Sequence, residues 1–337
     1  MANTTETAKV FNCPNYAGTL YSATPTQTPF LTLIGGIGGS KALKTTNFKF
    51  PTCSLYEHPD ASQPAISEDA SLTAPTPYTY VRTQEENITQ IFHETISVSY
   101  DKMANGGRLS GINTAGTSNN VPSELDFQTA RTLEKIARDI EYTFLNGIYQ
   151  DSSASNTARK TRGMLAAAGT QLDAKTAALS KQMIDDIMRE AWSANAQFND
   201  FYLFMNGTQK QRLSAIYSSI TGFALPATRT ESGVNITTIE TDFGVVKIVL
   251  DRFMPDSAIL GADLSVIAPV EQETPSKGNF FREALSKKGA AEEYQIFGEI
   301  GLDHGPSFMH FAITNLETAS TDSDDSGEGT DDETGLE

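Results

Sequence analysis

The glycine cluster at residues 35–41, GGIGGSK, is the first place in this chain where the residue types could bind a phosphate group. A phosphate-binding loop needs a lysine directly after a glycine, followed by a Ser or Thr hydroxyl for magnesium. Here Lys41 follows Ser40, and Ala42 stands at the hydroxyl position. We therefore interpret the cluster as a flexible hinge.

The side chains that most often hold metals are far apart in the sequence. The histidines and cysteines are His58, His93, His304, His310, Cys13 and Cys53. None of them follows the close spacing of a zinc site. Two pairs of neighbouring carboxylates, Asp185 with Asp186 and Glu292 with Glu293, could supply an acid and a base, but such neighbours are more typical of a solvated face. The sequence predicts no catalytic residue, no metal site and no cofactor.

Arg159, Lys160 and Arg162 form the only compact basic group in the sequence. Arginine and lysine can bind either a phosphate or a carboxylate through charge-assisted hydrogen bonds. Because the rest of the chain is acidic, we favour a carboxylate of a neighbouring subunit. These three side chains are therefore predicted to lie at an inter-subunit contact.

The charge balance argues against a protein that binds nucleic acid tightly. Among 337 residues, 42 are acidic and 25 are basic, for a formal net charge of -17. Proteins that hold a phosphate backbone use clustered Lys and Arg instead. Nine of the acidic residues lie from Glu317 onward, so the remainder carries -17 + 9 = -8. Residues 317–337, rich in Ser, Thr, Gly, Asp and Glu, are predicted to form a disordered acidic tail.

We find no targeting signal in the sequence. The N-terminus has neither the basic stretch nor the apolar core of a signal peptide. The uncharged stretch 11–40 is broken by Pro14, Pro25 and Pro29, which argues against a membrane-spanning helix. Two cysteines are too few for a disulfide framework. We expect synthesis in the cytoplasm.

The first third of the chain contains few large apolar residues for its length. Residues 1–40 read as an extended arm with one apolar knot at 30–34. Residues 41–103 read as a long hairpin, with one strand at 45–50, a returning strand at 96–100 and a proline-rich crossing between them. Ordering about 60 residues costs roughly 60 to 100 kcal/mol of backbone entropy. The hairpin is therefore either a disordered loop or a segment that becomes ordered on a neighbouring subunit.

A long amphipathic helix is predicted over residues 123–149. Ser123 can cap it, and the apolar stripe comprises Leu133, Ala137, Ile140, Phe144 and Ile148. At about 1.5 Å per residue the helix would be roughly 40 Å long. A second helix begins at Ser180, and Thr208 caps a short one. Strands are predicted at 201–205, 236–240, 245–250, 264–268 and 308–314. This mixture, without a repeated βαβ unit, indicates an α+β protein.

Several segments resemble the major capsid proteins of tailed bacteriophages. They are TQTPF at 26–30, TQIF at 89–92, ARDIEYTFLNG at 137–147, RKTRG at 159–163, MNGTQKQRLSAIY at 205–217 and DFGVVKIVLDRFMP at 242–255. The resemblance implies the Hong Kong 97 capsid fold. It divides the chain into an extended N-arm (1–40), an E-loop hairpin (41–103), a peripheral domain (104–163) with its spine helix (123–149), a mainly axial domain (164–268), return strands (269–316) and the tail (317–337).

The same resemblance implies a structural role without catalytic residues. The protein is expected to assemble with itself into hexamers and pentamers of an icosahedral shell around double-stranded DNA, without binding that DNA strongly. A portal and a separate scaffolding protein are expected partners, the presence of a decoration protein is left open by the sequence, and no membrane is involved. No Lys-Asn crosslink is predicted. Two other classes stay open: another virion protein or host-surface adhesin, and a carboxylate-based hydrolase.

Overall fold

The computed structural model describes residues 7–11, 21–104, 121, 123–152, 154, 156–219, 237–287 and 289–318. The strands are β1 (Leu43–Thr45), β2 (Lys49–Tyr56), β3 (Arg82–Ile88), β4 (Gln90–Ser99), β5 (Thr170–Asp173), β6 (Phe201–Met205), β7 (Thr238–Thr241), β8 (Gly244–Leu250), β9 (Ile259–Asp263), β10 (Ala268–Gln272), β11 (Phe281–Ala284), β12 (Ala291–Asp303) and β13 (Phe311–Thr314). The helices are α1 (Pro29–Leu33), α2 (Glu68–Ser71), α3 (Tyr100–Ala104), α4 (Glu124–Asn146), α5 (Met164–Ala167), α6 (Lys181–Ser193) and α7 (Gly207–Ser219), with a 3-10 turn at Ser307–Met309.

A five-stranded sheet is built around β12. On one side β12 pairs antiparallel with β4, from Ala291 opposite Ser99 to Ile300 opposite Gln90. On its other side it pairs with β11 and then with β10, and β1 adds to β10 in parallel. Because β12 is 13 residues long, it can pair with three other strands. Its pairing with β4 joins the first third of the chain to the last quarter.

A six-stranded mixed sheet forms the second layer of strands, in the order β5, β13, β9, β6, β8, β7. Its helices α6 and α7 contribute Ile184, Ile187, Leu213 and Tyr217 to one hydrophobic core. Its other buried side chains, such as Leu260, pack with α1, α4 and β12 in a second core. The α+β class is thus confirmed, and the domain boundaries drawn from the sequence stay predictions.

Helix α4 confirms the predicted long helix but differs in its ends and its buried face. Ser123 accepts a hydrogen bond from the Asp126 N–H, as expected, and the helix ends at Asn146 with Gly147 as its C-cap. Ile148 therefore lies beyond the helix and is 77% exposed. Leu133 is 44% exposed because no described residue covers it, although it lies on the same face as Ile140. The buried side chains are Ile136, Ile140, Glu141, Phe144 and Leu145.

The predicted returning strand of the hairpin was assigned to the wrong partner. Residues 96–99 do form a strand, but they belong to β4 and pair with β12, while Tyr100 begins α3. The partner of β2 is β3. The physical reason is that β12 offers β4 a ten-residue ladder, which buries Ile96 and Val98 as β2 could not.

Three smaller expectations also change. Residues 264–267 form a turn between β9 and β10 rather than a strand. Thr208 lies inside α7, and the Asn206 side chain instead accepts a hydrogen bond from the Gly207 N–H at 2.5 Å. Strand β13 begins at Phe311, after the 3-10 turn. The predicted strands at 201–205 and 245–250 and the Ser180 cap of α6 are confirmed.

Candidate assembly surfaces

The β2–β3 hairpin, which comprises β2, β3 and the connecting residues 57–81, projects as a two-stranded unit. Its register runs from Lys49 opposite Ile88 to Tyr56 opposite Arg82, with a bulge between Pro51 and Cys53. Within the described chain, no further strand pairs with β2 or β3. A two-stranded ribbon is only marginally stable by itself in water. The hairpin therefore needs support from its base or from another molecule.

Four rings cluster where the hairpin strands end. Tyr56, His58, Tyr78 and Tyr80 meet edge to face, with centroid separations of 5.0 to 6.3 Å. Tyr56 and Tyr78 remain more than 60% exposed. Farther along the connection, Ile66, Leu72 and Val81 are exposed by 67%, 84% and 74%. Such a concentration of exposed apolar side chains is characteristic of an interaction surface.

The base of the hairpin is held firmly to the body. The buried Asn87 donates through Nδ2 to the Leu302 carbonyl at 2.7 Å, and its Oδ1 accepts from the Arg162 N–H at 2.8 Å. Ser307 Oγ donates to Glu85 Oε1 at 2.8 Å. Buried polar groups that are paired in this way fix the direction of the segment they belong to. The exposed end is thus presented from a rigid base.

The predicted contact group Arg159, Lys160 and Arg162 lies beside this base. Arg159 donates to Glu299 Oε2 at 3.0 Å, so its carboxylate partner is in the same chain. The Arg162 guanidinium lies 5.2 Å from the ring centroid of Tyr149. Lys160 is exposed, and its backbone pairs with that of Gln150. The assignment of these residues to an inter-subunit contact stays a prediction.

The N-terminal arm contacts the body through Ala8 and through α1. The Ala8 N–H donates to the Ser97 carbonyl at 2.9 Å, and the Ser99 N–H donates to the Ala8 carbonyl at 3.1 Å, so Ala8 extends the edge of β4. Farther along, α1 buries Phe30 and Leu31 in the core that α4 lines. These contacts attach the arm to β4 and pack it against α4.

The glycine cluster after α1 is a defined turn rather than an open hinge. Gly35, Gly36 and Gly38 have φ values of +110°, +74° and +69°, a backbone conformation that L side chains rarely adopt. The Gly38 N–H donates to Glu271 Oε1 at 2.5 Å. The Glu271 carboxylate is buried, so this contact attaches the turn to β10.

Two buried carboxylates, Glu141 and Asp251, were missed by the sequence reasoning. Glu141 is fully buried on α4 and accepts hydrogen bonds from the N–H groups of Phe30 and Leu31. Burial, with Asp251 beside it, raises the pKa of Glu141 to about 9. One signal for Glu141 was present in the sequence, since it lies on the apolar face one residue after Ile140 and three before Phe144.

The other polar candidates are divided among several elements of the fold. His58 and His93 are exposed, whereas His304 and His310 are fully buried beside the end of β12. Asp185 and Asp186 pair with Lys181 and Arg189 on the surface of α6. Among the described residues, no three His, Cys, Asp or Glu side chains gather as a metal site would require. The described helices also include none with the length and apolarity needed to cross a membrane.

Comparisons with known proteins give one consistent result. The model of the family described as SU10 major capsid protein matches residues 3–317. No curated protein sequence matches the chain. Among solved structures, the cyanophage A-1(L) capsid asymmetric unit superposes with a TM-score of 0.65 at 11% identity, covering 91% of this chain and 97% of that one.

Two further structures share the architecture. The capsid of a native GTA particle gives a TM-score of 0.57 at 11% identity, covering 90% of this chain and 94% of that one. The holo-SrpI encapsulin complex from Synechococcus elongatus gives 0.53 at 12% identity, covering 92% and 94%. The fold is therefore the Hong Kong 97 capsid fold expected from the sequence. Because the family model covers most of its length, this chain belongs to the SU10 major capsid protein family.

Proposed function

We propose that this shell-forming protein builds the icosahedral capsid that encloses the double-stranded DNA genome of a tailed bacteriophage. The observation that carries the proposal is the β2–β3 hairpin, which presents exposed aromatic and aliphatic side chains from a rigidly held base. A hairpin with so much unburied apolar surface gains stability when it lies on a neighbouring copy. Head-to-tail contacts of this kind close into rings, here of five and six copies.

The parts of the chain have the following roles in the proposed assembly. Within the segment 41–103, the β2–β3 hairpin reaches a neighbouring copy, while β4 and the described parts of the arm (1–40) stay on their own subunit. The segments 104–163 and 164–268 form the peripheral and mainly axial parts, and 269–316 completes the body. An obligate assembly of this kind buries above ~2,000 Å² per interface. Within the basic group, the exposed Lys160 is the side chain best placed to reach a neighbour's carboxylate, because Arg159 already contacts Glu299.

The remaining partners are proposed from the same role. A portal, a scaffolding protein and a decoration protein would complete the particle, which assembles in the host cytoplasm. The acidic composition supports confinement of DNA without strong binding, since 42 acidic residues outnumber 25 basic ones. We assign the chain no catalytic activity.

The proposal is tested by expressing the chain with and without a candidate scaffolding protein and imaging the products by negative-stain electron microscopy. Capsomers or shells are expected. Monodisperse monomers under every condition would overturn the proposed function.

A shortened hairpin tests the contact that carries the proposal. Tyr56 and Arg82 are cross-strand partners, so residues 57–81 can be replaced by an Asn-Gly turn that joins them without disturbing β2 or β3. We expect circular dichroism to show a folded body, and we expect no shells. A second variant, Leu72→Ser with Val81→Ser, keeps the full chain length and removes only exposed apolar side chains. It is expected to weaken assembly, which separates the effect of these side chains from that of shortening the hairpin. Normal shells from the shortened chain would contradict a role for the hairpin.

A further inference from the structure

Three parts of the chain meet at two buried carboxyl groups. They are α1 in the arm, α4, and the loop that follows β8. Glu141 from α4 is 0% exposed and Asp251 from the loop is 1% exposed. Carboxylates in such positions are ordinarily paired with a cation or protonated, because removing a charge from water is costly.

Glu141 caps a helix that has no cap of its own. The Thr28 side chain makes no capping hydrogen bond to α1. Instead, Glu141 Oε1 accepts from the Phe30 N–H at 2.7 Å, and Oε2 accepts from the Leu31 N–H at 2.7 Å. A five-residue helix is far too short to persist alone in water. The attachment of α1 to the body therefore depends on these two bonds together with the burial of Phe30 and Leu31.

Asp251 has one oxygen that lacks a donor. Its Oδ1 accepts from the Phe253 N–H at 2.8 Å, whereas its buried Oδ2 has no hydrogen-bond partner among the described residues. In the described part of the chain, no cation forms an ion pair with either carboxylate: the Arg138 guanidinium lies over the ring of Phe253 at 5.9 Å, and Arg252 is exposed. The residues of α1 bring no titratable side chain to the site. A proton between the two carboxyl groups would supply the missing donor and remove their mutual repulsion.

We propose that Glu141 and Asp251 share one proton, and that this proton holds the N-terminal arm on α4. When the proton is lost, two negative charges face each other without water, and residues 29–33 detach so that both groups become hydrated. Both carboxyl groups and residues 29–33 belong to one subunit, so this proposal can be tested whether or not the protein forms shells.

The direction of the pH dependence follows from proton linkage. Burial raises the pKa of Glu141 to about 9 in the attached state, above the ordinary value of 4.5 expected once the group is exposed to water. The pKa of Asp251 is raised as well, chiefly by burial. Between the two pKa values of Glu141, the attached state binds one proton more than the detached state. Attachment is therefore strongest below about pH 4.5. From there to about pH 9, the equilibrium constant for attachment falls about tenfold for each pH unit.

The test is hydrogen exchange of the Phe30 and Leu31 amides in the full-length chain between pH 6 and 9, corrected for the intrinsic pH dependence of exchange. Wild-type protection is expected to fall about tenfold per pH unit. In Glu141→Gln this position cannot titrate, and the new amide can donate to Asp251 Oδ2 in place of the shared proton, so protection is expected to be lower and to vary much less with pH. Asp251→Asn can donate to Glu141 and is expected to flatten the dependence above pH 7.

Glu134→Gln is the matched control. Glu134 lies on the same helix but pairs with Arg131 at 2.8 Å, so this variant is expected to follow the wild type. A flat wild-type profile would overturn the proposal, as would an equal slope in Glu141→Gln. Detachment of the arm by a chelator at pH 7 would also overturn it, because a bound cation and not a proton would then bridge the carboxylates.

Discussion

At the scale of single residues, His310 shows how burial selects one protonation state. Its Nδ1 accepts a hydrogen bond from the Asp263 N–H at 3.3 Å, and its Nε2 lies 2.6 Å from the His304 carbonyl. The ring can satisfy both contacts only as the neutral tautomer with hydrogen on Nε2. Burial accordingly lowers the pKa of His310 to about 4.

This depressed pKa predicts a loss of stability in acid. Between about pH 6.5 and pH 4 the unfolded chain takes up a proton that folded His310 does not, so the free energy of unfolding falls by about 1.4 kcal/mol per pH unit from this residue. His310→Gln is expected to be less stable at neutral pH but to lose less on acidification. Urea unfolding at pH 7 and pH 4.5 measures both effects. The exposed His93→Gln variant is the control and should retain the wild-type slope.

The contacts of His310 could not have been predicted from the sequence. Its partners come from β9, 47 positions away, and from a carbonyl six positions away, so only the packed fold brings them together. Glu141 differs, because a carboxylate on the apolar face of a helix is visible in the sequence. What the sequence could not supply is its partner, the pair of N–H groups 111 and 110 residues earlier.

At the scale of elements, α4 shows that a residue placed on the apolar stripe by its spacing is not always buried. Phe144 is fully buried in the core, whereas Ile148, placed on the same stripe by the sequence, is 77% exposed. Phe144→Ala is therefore expected to destabilise the subunit by roughly 3 to 5 kcal/mol, from lost burial and the cavity left behind. Ile148→Ala is expected to change the subunit's stability by less than about 0.5 kcal/mol. Chemical denaturation of both variants provides the comparison, and equal losses would contradict the assigned face.

The strands show the same limit in another form. Alternation of apolar and polar residues correctly predicted that residues 96–99 are extended, because side-chain period is a local property. It could not identify β12 as the partner, since the paired residues of the two strands are 192 to 210 positions apart. Sequence resemblance gave the correct fold, while the pairing of β2 with β3 required the structure.

At the scale of the whole molecule, assembly must bring together copies of a strongly acidic chain. Each copy carries a formal charge of -17, and this repulsion opposes the apolar contacts offered by the hairpin. The screening length falls from ~30 Å in 0.01 M salt to ~10 Å in 0.1 M salt. Added salt should therefore favour shells of this protein, whereas it would weaken an assembly held mainly by ion pairs between subunits.

The acidic C-terminal segment allows this balance to be tested directly. Removal of residues 319–337 takes away eight acidic residues and changes the net charge to -17 + 8 = -9. The truncated chain is expected to form shells at a lower protein concentration in 0.01 M salt and to show a weaker salt dependence, measured by light scattering and electron microscopy. A full-length control with the same eight residues changed to Asn or Gln separates charge from chain length and should match the truncation. If that control instead behaves like the acidic wild type, repulsion between these segments does not limit assembly, and the apolar contacts already dominate at low salt.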